Sequence, residues 1–271
     1  MLFKRILTAA VLLPLFVGGL FFLQQFWWGL GLLPLVIAGA WEWATLAGFG
    51  LVGRWSFCAL VLATIAALLL TELPVFLPGL EQSIFAASAI FWLIVVPPWL
   101  KNGWQVRSVG MLIATGWLLL VPTWLALLRL QEQPWVLLAI LGVVWVADSA
   151  AYFAGHQWGR RKLAPAISPG KTWEGVAGAA VAVAVYHAAV WEFGFAPAAP
   201  GLGLIAALLV AILFPLSIIG DLFESWIKRQ AGVKDSGRLL PGHGGVLDRI
   251  DALTSTLPLA ALALSWMMQR V

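Results

Sequence analysis

Nine stretches of about twenty predominantly apolar residues run through this chain, at 6–24, 27–48, 55–71, 84–100, 109–128, 135–154, 173–192, 202–220 and 252–269. Each is long enough to cross about 30 Å of hydrocarbon as an α-helix, so the pattern predicts an all-α, polytopic bundle embedded in a bilayer, with about nine transmembrane helices. Composition agrees: 62% of the 271 residues are hydrophobic, 10% are charged and the mean hydropathy is +0.96, outside the range of a soluble domain. Glu72, Pro74, Pro78 and Glu81 leave only a short loop between the third and fourth runs. The first run follows Lys4 and Arg5 like a signal peptide, but its length and the want of a small-residue cleavage site read as a retained anchor. One cysteine, Cys58, lies inside an apolar run, which excludes an intramolecular disulfide and reads as inert packing.

The net charge of +4 first reports topology in such a chain, not a nucleic-acid partner. With the amino terminus in the cytoplasm, 14 of the 16 basic residues fall on the cytoplasmic side and only Arg129 and Arg270 on the other, which satisfies the positive-inside rule and places the carboxyl terminus outside. Tryptophans near the span ends (Trp27, Trp28, Trp55, Trp99, Trp104, Trp135, Trp173, Trp191) are expected at the membrane interface.

Polar residues concentrate in two loops assigned to the cytoplasmic face. From Asp221 to Asp251, ten of 31 residues are charged. Asp221, Glu224, Ser225 and Lys228 stand at i, i+3, i+4 and i+7 and share one side of a helix, while Asp248 and Asp251 do the same at the start of the last span. Carboxylates near a span end should face protein, water or a cation. Paired acids beside bases suggest a magnesium ion carrying phosphate groups; a solvated loop with structural salt bridges stays open as the alternative. The glycines of "PGHGG", Pro241 to Gly245, suit a loop whose amides approach phosphate, next to Lys234, Arg238 and Arg249.

The second loop, Gly155 to Gly175, contains "SPGKT", Ser168 to Thr172. A nucleotide-binding P-loop would need glycine where Pro165 stands and a strand before it, so that reading is rejected. Thr172 is expected to cap the next helix, with Glu174 in its first turn and Lys171 free for phosphate. Asp148, in "WVADSAAYFAG", is an acid within an apolar helix and a functional candidate on that ground, and Glu42, in "AWEWATLAG", raises the same question. His187 reads as packed, and His243, between glycines, as a phosphate donor rather than a metal ligand.

The stretch "SWIKRQAGVKDSGRLLPGHGGVLDRID", Ser225 to Asp251, resembles the signature of the phosphatidate cytidylyltransferases, the CDP-diacylglycerol synthases, through Ser225, Lys228, Arg229, Lys234, Asp235, Pro241, His243, Gly244, Gly245, Asp248, Arg249 and Asp251. The likeness extends upstream over Ala147 to Gly175, departing at Ala150 and His156; the first 130 residues match only as hydrophobic spans. It implies the reaction of CTP with phosphatidate to give CDP-diacylglycerol and pyrophosphate, in a bacterial-type cytoplasmic (inner) membrane with the active site facing the cytoplasm. It further implies Mg²⁺ held by Asp221 and Asp248, with room for a second cation, and catalytic roles for Lys171, Lys228, Ser225 and Asp251. Substrate binding would fall to Asp148, Ser168, Lys234, Asp235, Arg238, His243, Gly244, Gly245 and Arg249. The chain is expected to be one catalytic unit over 1–271, with 1–130 mainly scaffold and 135–271 carrying the chemistry, alone or as a homodimer. A transporter should show paired broken helices and an inverted repeat, and a CDP-alcohol phosphotransferase a series of aspartates four apart; neither pattern is visible.

Overall fold

The computed structural model describes residues 2–71, 77, 79–195, 202–239, 242 and 244–268, with side chains from residue 10 onward except at 195 and 268. Each of the nine apolar runs is helical over most of its described residues. In chain order the elements are α1 (Leu2–Phe22), α2 (Gln25–Gly31), α3 (Leu33–Leu46), α4 (Leu51–Leu70), α5 (Leu80–Ile90), α6 (Val96–Asn102), α7 (Val109–Leu130), α8 (Pro134–Trp158), β1 (Lys162–Ala164), β2 (Ser168–Thr172), α9 (Trp173–Val190), α10 (Gly203–Gln230) and α11 (Leu247–Met268). Among the described residues eight helices are long and apolar enough to cross a bilayer, α2 with α3 and α5 with α6 each forming one of them, and α1 adds a shorter apolar stretch, Ala10–Phe22. The protein is an integral membrane protein.

Prolines account for the interruptions. Pro34 has no N–H to offer Leu30, and the span 25–46 breaks at Leu32 just before it. Pro97 and Pro98 remove two further donors, and the helix widens into a π-turn over Phe91–Val95 ahead of them. That turn is useful to the packing: Phe91, Trp92 and Trp99 meet Phe223 of α10 edge to face at 5.7, 5.5 and 5.2 Å between ring centres. The amino-terminal helices thereby brace the helix that carries Asp221.

The tryptophans divide between two roles. Trp27, Trp55, Trp104, Trp135 and Trp173 are exposed, as expected for interface residues, and Trp191 is half-buried. Trp28 and Trp99, at 3% and 2% exposure, are instead core residues. In an apolar interior an indole N–H has to find an acceptor, and these find main-chain carbonyls: Trp28 donates to Leu127 O (3.0 Å) and Trp99 to Trp104 O (2.9 Å), while Trp43 of α3 donates to Leu112 O of α7 (2.9 Å).

Small residues set the closest helix approach. Between α8 and α9, a Cβ on Gly175 would meet the Ala151 carbonyl at 2.8 Å, and one on Gly178 would overlap Ala154. At the end of the bundle away from these loops, Arg129 pairs with Glu81, and Gln25 donates to Glu132 at 2.9 Å.

A Cβ at Gly116 would overlap the Trp43 indole, which cannot swing away because its N–H is tied to Leu112. Gly116→Ala is expected to destabilise the fold by about 1–3 kcal/mol, the usual cost of overpacking, seen as a lower thermal unfolding midpoint in detergent. Gly18→Ala, where a Cβ meets nothing within 4 Å, should not lower it.

Candidate active site

The carboxyl-terminal end of α10 carries a column of charge because its polar residues recur every three or four positions. Ser225 Oγ donates to Asp221 Oδ1 at 3.3 Å, and Lys228 Nζ reaches Glu224 Oε2 at 2.8 Å. Lys228 also reaches Asp248 Oδ1, at the start of α11, at 2.6 Å. One buried ammonium therefore joins two acids on different helices, and Glu224 Oε1 is left buried with no partner.

Asp248 is fully occupied by its surroundings. Beyond Lys228, it accepts from Ser236 N at 3.0 Å and Gly245 N at 2.8 Å through Oδ2, which ties together the two limbs of the loop between α10 and α11. Gly244 has a φ of 84°, and a Cβ there would stand 2.6 Å from Asp248 Oδ2. Glycine is thus required where the loop folds over the carboxylate. The amide of Gly245 turns inward to Asp248, and those of Val246 and Leu247 turn to Glu42 of α3, at 3.0 and 2.9 Å. Ser236 Oγ adds a third donor to Glu42 at 3.0 Å.

The second loop is a β-hairpin. β1 and β2 pair antiparallel, Lys162 with Thr172 and Ala164 with Ser168, so SPGKT is itself a strand rather than a turn after one. Glu174 accepts from the amides of Arg160 (3.0 Å) and Arg161 (3.1 Å), fixing the exit from α8, and Thr172 Oγ1 accepts from Gly175 N (3.1 Å), capping α9 as its sequence position implied. The hairpin carries Lys171 to Asp221, with Nζ 2.7 Å from Oδ2.

These elements enclose a cavity of about 690 Å³ at one end of the bundle. Of the residues singled out in the sequence, it is lined by Asp148, Ser168, Lys171, Asp221, Ser225, Lys228, Arg229, Lys234, Asp235, Asp248, Arg249 and Asp251. Arg238 is exposed and away from the lining, Gly244 and Gly245 lie behind Asp248, and His243, with Pro241, falls outside the described residues. Three contributors to the framework had no site role assigned from the sequence: Glu42, Glu224 and Ser236. An acid inside an apolar run was the signal for Glu42; nothing marked Ser236.

The donor set bears on a metal. Among the described residues no three His, Cys, Asp or Glu side chains form a cage of their own. Asp148, Asp221 and Asp251 nevertheless offer hard carboxylate oxygens to one cavity. This fits Mg²⁺, which commonly takes one or two carboxylates and completes its shell with substrate oxygens and water. Asp221 is the better placed of the two acids expected to bind it, since among the described residues its oxygens meet only Lys171 and Ser225, whereas Asp248 would have to release Lys228 or an amide.

Comparison with known proteins gives a consistent result. The model of the Cytidylyltransferase family matches residues 3–267. A phosphatidate cytidylyltransferase of Pseudomonas aeruginosa is 42% identical over 98% of this chain and 97% of its own length. One from Haemophilus influenzae is 33% identical over 95% and 96%, and one from Bacillus subtilis is 35% identical over 66% and 67%.

Removing one partner from a buried ion pair leaves the other charge unpaired. Lys228→Met is therefore expected to cost about 3–5 kcal/mol, read as a large drop in the unfolding midpoint and in the yield of monodisperse protein. Combining it with Glu224→Gln should recover part of that loss.

Proposed function

The chain belongs to the cytidylyltransferase family and is a nucleotidyltransferase, and from that premise we propose that it joins CTP to phosphatidate, giving CDP-diacylglycerol and pyrophosphate. The observation that carries this reading is the cavity itself, where five cations (Lys171, Lys228, Arg229, Lys234, Arg249) and several carboxylates converge at the end of an otherwise apolar bundle. Its size suits a nucleotide, and its contents suit two anionic reactants that must be brought together.

A phosphate oxygen of the lipid attacks the α-phosphorus of CTP in line, the bond to the β-phosphate oxygen breaks, and pyrophosphate leaves. The substrate is its own nucleophile, so no residue of the chain has to form a covalent bond. Lys171, Lys234 and Arg249 offset the charge that both reactants bring, and Ser225 orients Asp221. Lys228 keeps Asp248 in place beneath the loop. Asp221, with Asp148 or Asp251 beside it, would hold Mg²⁺; the ion, when bound, neutralises phosphate charge and templates the displacement. Diacyl tails remain among the helices while the headgroup enters the cavity.

We further place the cavity on the cytoplasmic side of a bacterial inner membrane, supported by the division of basic residues noted above. The loop after α6 belongs to the same end, since Gln230 at the foot of α10 donates to Val106 O at 2.8 Å. Residues 135–271 carry the chemistry and 1–130 the scaffold.

Purified protein should release pyrophosphate only when CTP, phosphatidate and Mg²⁺ are all present, and EDTA should stop it. Asp221→Asn is expected to lower turnover by about 10²–10³-fold, as for loss of a group that stabilises transition-state charge. Orthophosphate release, or turnover without the lipid, would contradict this reading.

A further inference from the structure

Glu42 stands on α3, a helix that contributes no side chain to the described lining of the cavity. It is 5% exposed, and both its oxygens are given to the far half of the chain, to Val246 N, Leu247 N and Ser236 Oγ. Two of those donors belong to the start of α11, where the first amides lack partners within the helix and the helix dipole favours negative charge. Neither Val246 nor Leu247 could supply such a cap itself. The third donor lies on the opposite limb of the loop. Asp248 grips the same two limbs alongside, through Ser236 N and Gly245 N. The packing is close: a Cβ at Gly237 or Gly245 would overlap the Glu42 carboxylate or Ser236.

We propose that Glu42 is a positioning residue: a buried carboxylate that clasps both limbs of the α10–α11 loop and so fixes where Lys234, Asp235 and Arg249 meet the nucleotide. It acts through Ser236 and the first turn of α11 and touches no substrate. The proposal rests on reading the cavity as the CTP site. Glu42→Gln keeps the volume but turns one acceptor into an amide donor facing other donors. The loop is then released at one limb.

The test uses Glu42→Gln, Ser236→Ala and the double variant, purified in detergent beside the wild type, with CTP saturation kinetics and limited trypsin digestion. Glu42→Gln should raise KM for CTP about tenfold or more while kcat changes by less than about threefold, and Ser236→Ala should move KM the same way. The double variant should be no worse than Glu42→Gln, since both remove one contact. Trypsin should cut Glu42→Gln faster after Lys234 and Arg238, with cleavage after Arg160, Arg161 and Lys162 unchanged. A merely structural role would reduce the folded fraction at wild-type KM, with additive effects and an unaltered digest, and would overturn the proposal. If Glu42→Gln gives no folded protein, Ser236→Ala decides: unchanged KM and unchanged cleavage overturn it, and shifts in both support it. If the wild type turns over no CTP, the functional reading fails, while the digest still decides whether Glu42 holds the loop.

Discussion

A charge inside a hydrocarbon slab has to be neutralised by something the protein itself supplies, and this constraint organises the molecule around Lys228. Its ammonium lies between Glu224 and Asp248, at 2.8 and 2.6 Å, and so locks α10 to α11. Asp248 can then spend its remaining capacity on the amides of Ser236 and Gly245, and the loop acquires a fixed course. A few angstroms away the same logic operates with less burial: Lys171, delivered by the hairpin, meets Asp221. The difference matters. Lys228 and its two acids are buried, whereas Lys171 and Asp221 are accessible enough to exchange partners for a substrate phosphate or a cation in the function we propose.

The two halves of the chain are packed into one another. The amino-terminal helices supply the aromatic cradle for Phe223 and the carboxylate that caps α11. Indole donors bonded to carbonyls of neighbouring helices, as with Trp43 and Leu112, let aromatic bulk fill the core with most of its polar atoms paired, the buried Trp92 N–H being an exception.

Much of this was legible in the sequence because the bilayer enforces a simple rule of length, and all nine runs became helical, although α10 continues well past its expected end at 220, to Gln230. The helix-face spacing of Asp221, Glu224, Ser225 and Lys228 likewise survived intact. What periodicity could not resolve was direction. Trp28 and Trp99 occupy span ends, as interface residues do, but face the bundle. The strand at SPGKT, paired with Lys162–Ala164, was not foreseen, since proline and glycine are poor strand formers. The glycines before Asp248 suggested amides aimed at phosphate; those of Gly245, Val246 and Leu247 are aimed at carboxylates of the protein. Glu42 and Val246 are 204 residues apart, and no local pattern encodes a contact of that span.

The central claim is that this cradle of charges brings a lipid phosphate to the α-phosphorus of CTP. Parallel reactions with CTP labelled at the α- or the γ-phosphate, using purified protein, phosphatidate and Mg²⁺, test it directly. The account predicts α-label in the organic phase, in equal amount to γ-label recovered as aqueous pyrophosphate. Label from the γ-position appearing in lipid, or α-label remaining wholly in water, would contradict it.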